Sequence, residues 1–166
     1  SGSDSSGALV FHASDFAVKK EQMRITSIGN VGIGTTDPGA DKLDVRGKGF
    51  GWGGWQTINS DYAEWFIKEE ETRPGDIIGI NLQTGKARKY RSGDKFIGIH
   101  SSNSAFVGNR SAETAEDMQK TSVLVGLLGQ LDFNKSQVII NGRTVKTIDG
   151  QDIGVILSGG KVLIGK

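Results

Sequence analysis

Short alternations of apolar and polar positions run through most of the chain, and they predict strands. Residues 23–28 and 42–46 alternate with period two, as half-buried strands do. Residues 8–12 are predicted as a further strand and residues 18–22 as a charged turn. In residues 31–36 the apolar positions alternate with glycine and threonine, so one chain can bury little apolar surface there. Such a thin apolar face favours an intertwined oligomer.

The second part of the chain carries longer apolar runs between turn residues. Residues 77–80 and 96–100 are predicted as strands, and residues 121–133 as a long core strand with a bulge at Gly126 or Gly129. Hairpins are predicted around turn signals at residues 83–86, 141–142 and 158–160. This spacing predicts a mainly β fold, namely a small β-barrel or sandwich with at most one or two short helices.

Two charged stretches interrupt this pattern. Residues 111–120 are the best helix candidate, because Ser111 can cap it while Glu113, Glu116 and Asp117 lie near its start, where the helix dipole favours them. An exposed arm is the alternative. The three glutamates at residues 69–71 are predicted to form a solvated turn.

Composition removes several function classes. The 166 residues include 25 glycines and only 2 prolines, which favours tight turns and bulges over a flexible linker. A net charge of +1 gives no support to a nucleic-acid partner, and no apolar run approaches the ~20 residues of a membrane span. The chain has no cysteine, and His12 and His100 are far apart in sequence, so we expect no metal and no cofactor. His100 is expected to be a hydrogen-bonded strand residue rather than a catalyst.

Residues 47–55 combine five glycines with the aromatic residues Phe50, Trp52 and Trp55. The favoured interpretation is that these rings plug a junction between two parts of the chain, because they carry so much apolar area. A platform for stacking sugars, formed by Trp52, Trp55 and Trp65, is the alternative.

The stretch from residue 59 to residue 66 concentrates reactive groups. Ser60 follows Asn59, so its Oγ can attack the preceding carbonyl and move the acyl group from nitrogen to oxygen. The resulting ester hydrolyses more readily than an amide.

Two carboxylates lie close to Ser60 in sequence. Glu64, four residues on, shares a face with Ser60 on a helical turn and on a strand, so it is the candidate general base. Asp61 approaches Glu64 only on a helical turn, where one of the two pKa values would rise; in an extended segment Asp61 points away. The alternative is structural: Ser60 and Asp61 would cap a short helix that carries the aromatic residues into the core.

An ordered series of pieces comprises residues 23–26, residues 29–36, Pro38 and residues 42–45. It resembles the segment found in bacteriophage tail fibres and related trimeric fibre proteins. The resemblance implies three parallel chains wound around one axis, just upstream of a C-terminal chaperone domain.

A second series resembles the self-cleaving intramolecular chaperone domain of phage tailspikes and neck appendages, which is classed with the glutamic-type autopeptidases. Its pieces are residues 60–66, 74–78, 96–99, 107–109, 125–130 and 152–157. The resemblance implies a fibre segment at residues 1–59 and a chaperone at residues 60–166. That chaperone would trimerise, assist folding of the upstream fibre and cut itself off in a single turnover, leaving the fibre on the virion.

The same resemblance implies cleavage of the bond before Ser60, with the carboxylate role on Glu64 and Asp61 second. The family more often carries an acidic residue in the place of Asn59, and an asparagine opens cyclisation as a rival route to the same break. A neighbouring chain of the homotrimer is a possible source of part of the site. Two other functions stay open: a non-cleaving trimerisation module and a glycan-binding fibre tip.

Overall fold

The structure is a computed structural model that describes residues 7–15, 18–49, 51–52, 56–109 and 114–165. The chain divides into two compact units, residues 1–55 and residues 56–166. The boundary predicted from the sequence lies four residues further on, between Asn59 and Ser60. The described residues are mainly β, with one α-helix and a curled, half-barrel sheet.

The first unit is a four-stranded sheet. Its strands, in sheet order, are β1 (Leu9–Asp15), β2 (Val18–Ile25), β3 (Val31–Ile33) and β4 (Leu43–Val45). The pairs β1–β2 and β2–β3 are antiparallel, whereas β3–β4 is parallel.

The turn predicted at residues 18–22 is wrong. These charged residues form the first part of β2, which pairs with β1 from Val18 opposite Asp15 onward, and a separate turn follows β2 at residues 26–29. Most of residues 18–22 are exposed, so a solvent-facing strand accommodates their charges and its pairing satisfies their backbone groups. Gly29 permits the turn with a φ of +79°.

Apolar side chains of the first unit remain largely in solvent. Those exposed by about half or more are Leu9, Phe11, Val18, Ile28, Leu43 and Trp52. A single chain therefore buries little of this face, as the thin apolar pattern predicts.

The second unit contains the longer sheet and the helix. Its elements are β5 (Asp61–Ile67), β6 (Ile77–Ile80), β7 (Ala87–Lys89), β8 (Lys95–His100), β9 (Phe106–Val107), α1 (Ala115–Thr121), β10 (Ser122–Leu131), β11 (Ile139–Asn141), β12 (Thr144–Lys146), β13 (Asp152–Ile156) and β14 (Val162–Ile164). The strands run in the order β11-β12-β13-β14-β10-β8-β6-β7, while β5 pairs with β10 and with β9.

β10 is the centre of this unit, because it pairs with β5, β8 and β14. The predicted bulge is confirmed as a register shift between Gly126 and Leu128. Successive side chains of β10 alternate between faces: Val123 and Val125 pack in one core cluster, and Leu124 packs in another with Trp65. Both faces of β10 are therefore buried over residues 122–126, whereas Leu128 in its second half is exposed.

The helix begins later than predicted. Its N-cap is Thr114, whose Oγ1 accepts a hydrogen bond from the backbone N–H of Asp117 at 3.2 Å. Glu116 and Asp117 lie in its first turn, as expected from the dipole. The predicted cap Ser111 and the neighbouring Glu113 lie outside the described residues.

The acidic stretch at residues 69–71 is more structured than a solvated turn. Glu69 accepts hydrogen bonds from Arg88 at 2.9 Å and from Thr84 at 2.8 Å, and Glu70 binds Arg91 at 2.6 Å. Arg88 also forks onto the buried Asp94. These carboxylates tie the segment before β6 to the β6–β7 hairpin.

Candidate active site

The stretch from residue 59 to residue 66 is extended, so the helix-capping interpretation is wrong. β5 pairs with β10 from Asp61 opposite Gly129 to Ile67 opposite Ser122. Aromatic and branched side chains favour such a half-buried strand, and the pairing to a core strand outweighs any local capping preference. The burial of β5 alternates, with Asp61, Ala63 and Trp65 on the buried side.

Ser60 lies immediately before β5 and is exposed. Its Oγ donates a long hydrogen bond of 3.4 Å to the backbone carbonyl of Gln130. Ser60 borders a cleft of about 210 Å³ that is also lined by Asn59, Asp61 and His100. The hydroxyl and the bond that it is predicted to attack thus lie together at an accessible surface.

The carbonyl oxygen of Asn59 has a hydroxyl partner. Thr57 Oγ1 donates to it at 2.6 Å, which is short for a hydrogen bond between a hydroxyl and a carbonyl oxygen. The sequence interpretation did not include Thr57, because an isolated threonine in an irregular stretch carries no motif.

Asp61 lies on the buried side of β5. It is 5% exposed, and Ser101 Oγ donates to its Oδ2 at 2.7 Å. As expected for an extended segment, Asp61 and Glu64 fall on opposite faces, so the helical pairing of the two carboxylates does not form. Asp61 nevertheless lines the cleft beside Ser60.

Glu64 is partly buried on the face that carries Tyr62, and Tyr62 Oη donates to its Oε1 at 2.7 Å. This bond, together with burial and the charge of Glu64, raises the pKa of the Tyr62 phenol. Four residues along a strand separate Ser60 from Glu64 by ~13 Å, too far for a direct hydrogen bond between them. Within one chain Glu64 therefore shares a face with Ser60 without touching it.

Three glycines allow neighbouring segments to pack closely against β5. A Cβ at position 108 would overlap the Tyr62 hydroxyl, and one at position 129 would overlap the carbonyl oxygen of Ser60. At position 126 a Cβ would collide with Leu131 and approach Asp61 Oδ2. The pieces at residues 107–109 and 125–130 that the sequence singled out therefore both pack against β5.

His100 is held as the sequence predicts, but it also borders the cleft. Its Nδ1 lies 2.9 Å from Thr72 Oγ1, and burial lowers the pKa of the imidazole. Asp76 opposes that shift and Lys68 adds to it. A neutral imidazole can accept a proton, so His100 is a second candidate base. His100 and Ser60 line the same cleft because β8 and β5 both pair with β10, and sequence alone does not give that strand order.

The sugar platform of three tryptophans does not form. Trp65 is 8% exposed and packs with Ala63 and Leu124, so its ring is not free to stack on a ligand. Trp52 is 94% exposed, and Trp55 lies outside the described residues.

Across the part of the chain that is described, no three histidine or acidic side chains gather as metal ligands. No helix there has the length and apolarity to cross a membrane. Comparison with protein-family models, with curated proteins and with solved structures gave no match.

Proposed function

We propose that the chain is the C-terminal part of a phage tail fibre or spike, in which residues 60–166 act as an intramolecular chaperone. This chaperone trimerises, assists folding of the upstream fibre, and then releases itself by hydrolysis of the Asn59–Ser60 bond. The mature fibre remains on the virion, and the released domain is absent from it.

The observation that carries this proposal is the position of the bond. Asn59 and Ser60 lie within five residues of the boundary between the two compact units and immediately before the first strand of the second unit. A cut there leaves every strand and the helix of that unit intact. Ser60 also borders an open cleft, so water can reach an ester formed on its Oγ.

A base must take the proton from Ser60 Oγ. We assign this role to Glu64 of a neighbouring chain in the trimer, because the ~13 Å separation along β5 excludes direct contact within one chain. Coupling the base to assembly also delays release until the fibre has formed. Asp61 lines the cleft and is the second carboxylate. His100 is the same-chain alternative, since it borders the cleft and burial favours its neutral form.

Exposed apolar residues support an oligomer. Val155 and Leu163 face each other across β13 and β14, and each is more than 40% exposed. With the exposed apolar side chains of the first unit, they provide surface that a second and third chain can cover. A non-cleaving trimerisation module would use this surface equally well. The two functions differ only in whether the bond before Ser60 is cleaved.

Denaturing gels beside native mass measurements separate these functions. We expect wild type to form a trimer and to split at residue 59, and Ser60→Ala to form the same trimer and stay whole. Ser158→Ala, which changes an exposed serine in the turn after β13, is the matched control and cleaves like wild type. A trimeric wild type that stays intact favours the structural module, and a monomeric chain contradicts both.

A further inference from the structure

Thr57 is placed to act on the bond that Ser60 attacks. We propose that the Thr57 hydroxyl is a catalytic hydrogen-bond donor that stabilises the oxyanion formed at the Asn59 carbonyl. The proposal rests on the cleavage function given above and adds a residue to its machinery. It starts from one contact, the 2.6 Å bond from Thr57 Oγ1 to the Asn59 carbonyl oxygen.

The Asn59 carbonyl lies outside the strand ladder. Pairing between β5 and β10 begins at Asp61, two residues after Asn59. The donor that the structure gives this oxygen is therefore a side chain of the same segment and not a neighbouring strand.

The other side of the bond is also held. A Cβ at position 129 would overlap the carbonyl of Ser60, so Gly129 allows the Ser60 backbone to lie directly against β10. Ser60 Oγ donates to the carbonyl of Gln130. Thr57 thus holds the acyl side and β10 holds the amine side, and this preorganisation lowers the entropy cost of attack.

The chemistry places negative charge where Thr57 donates. Ser60 Oγ bonds to the Asn59 carbonyl carbon while its proton passes to the base, and the carbonyl oxygen becomes an oxyanion. Collapse breaks the bond from that carbon to the Ser60 nitrogen, which takes up the proton and becomes an amine. Water then hydrolyses the ester to the Asn59 carboxylate and the free Ser60 hydroxyl. A donor already in place bonds the oxyanion more strongly than the neutral carbonyl, so it accelerates the reaction.

The test compares two substitutions at one position by following the rate of cleavage. Thr57→Val keeps the shape and removes the hydroxyl, and we expect it to slow cleavage ~10- to 100-fold, less than the loss at a fully buried oxyanion site. Thr57→Ser keeps the donor, and we expect a rate within about threefold of wild type. We expect equal thermal midpoints by circular dichroism for the three chains, which would exclude a difference in stability as the cause of a rate change.

A second measurement does not depend on turnover. In a Ser60→Ala background the backbone carbonyl carbon of Asn59 is labelled with ¹³C, and its amide I band is followed by infrared spectroscopy. We expect Thr57→Val to shift this band to higher frequency, because the carbonyl loses its donor, and Thr57→Ser to leave it in place.

The outcomes separate this inference from the function on which it rests. If wild type cleaves and Ser60→Ala does not, but Thr57→Val cleaves at the wild-type rate, the role of Thr57 is refuted and the cleavage function stands. An unshifted infrared band in Thr57→Val refutes the contact itself. If wild type does not cleave, both proposals fall together.

Discussion

At the scale of single residues, the candidate site is defined by pairs of side chains and backbone groups rather than by a triad. Thr57 bonds the Asn59 carbonyl, Ser101 bonds Asp61, and Tyr62 bonds Glu64. The pair of Tyr62 and Glu64 is the easiest to test, because the Glu64 carboxylate raises the pKa of the Tyr62 phenol and that pKa can be measured. Gly108 leaves the space that the Tyr62 hydroxyl occupies.

We expect Glu64→Gln to lower the pKa of Tyr62 toward its ordinary value. The cause of the raised pKa is first the hydrogen bond to the Glu64 carboxylate, which the phenolate cannot make. A pH titration of ¹³Cζ-labelled tyrosine by NMR measures it. Tyr90 is the only other tyrosine and serves as the internal control, since burial and Asp149 set its raised pKa. An unchanged Tyr62 titration in Glu64→Gln would show that the pair does not exist in solution.

At the scale of elements, β10 organises the second unit, and its glycines determine how β5 lies against it. Gly129 has a φ of +115°, a conformation that other residues rarely adopt, and it pairs with Asp61. The register shift between Gly126 and Leu128 separates the pairing of residues 63–67 of β5 from the pairing of residues 61–62. The start of β5, and with it Ser60, therefore depends on this bulged part of β10.

We expect Gly129→Ala to destabilise the chain by about 2–4 kcal/mol, because it combines an unfavourable φ with overlap on the Ser60 backbone. Urea unfolding followed by tryptophan fluorescence measures the change. Gly159→Ala is the matched control: a Cβ there meets nothing within 4 Å, so its effect should stay within about 0.5 kcal/mol. Equal midpoints for the two variants would contradict the assigned fit of β5 on β10.

Much of the fold follows from the sequence, and its failures have physical causes. The strands at β6, β8 and β10 and the hairpin turns were predictable, because period-two alternation and turn residues act locally. The turn predicted at residues 18–22 became part of β2 because pairing with β1 outweighed its charged composition. Glu69 and Glu70 were predicted to be solvated, because their partners Arg88 and Arg91 are about 20 residues away in the sequence.

The candidate site was only partly predictable for a related reason. Ser60, Asp61 and Glu64 lie within five residues of each other and carry recognisable chemistry. Thr57 and His100 become candidate site residues only in the structure. Thr57 does so through its hydrogen bond to the Asn59 carbonyl, and His100 through the strand order that brings it to the cleft.

At the scale of the whole molecule, burial of one ionisable group and hydrogen bonding of two others tie stability to pH. Burial lowers the pKa of His100, which faces Thr72, Asp76 and Lys68. The hydrogen bond from Arg88 is the largest cause that lowers the pKa of Asp94. The hydrogen bond from Thr147 is the largest cause that lowers the pKa of Asp149 to about 2. The two kinds of group act in different pH windows.

We expect the thermal midpoint to fall as the pH drops below about 6.5, because the unfolded chain then binds the proton that folded His100 resists. His100 is only about half-buried, so the slope should stay well below the ~1.4 kcal/mol per pH unit of one full proton. A second loss follows below pH ~4, as Asp94 and Asp149 become protonated on unfolding. Circular dichroism melts from pH 8 to pH 3 measure both, and His100→Gln should flatten the first window alone. A slope unchanged by His100→Gln would remove His100 as its cause.

The most direct test of self-cleavage is the intact mass of three purified chains after incubation: wild type, Ser60→Ala and Asn59→Ala. The proposed acyl shift predicts that wild type and Asn59→Ala each give two fragments, residues 1–59 and 60–166, whose masses sum to the intact chain plus one water. It predicts a single uncut mass for Ser60→Ala. Cleavage of Ser60→Ala with an intact Asn59→Ala would assign the break to asparagine cyclisation, and an intact wild type would contradict self-cleavage altogether.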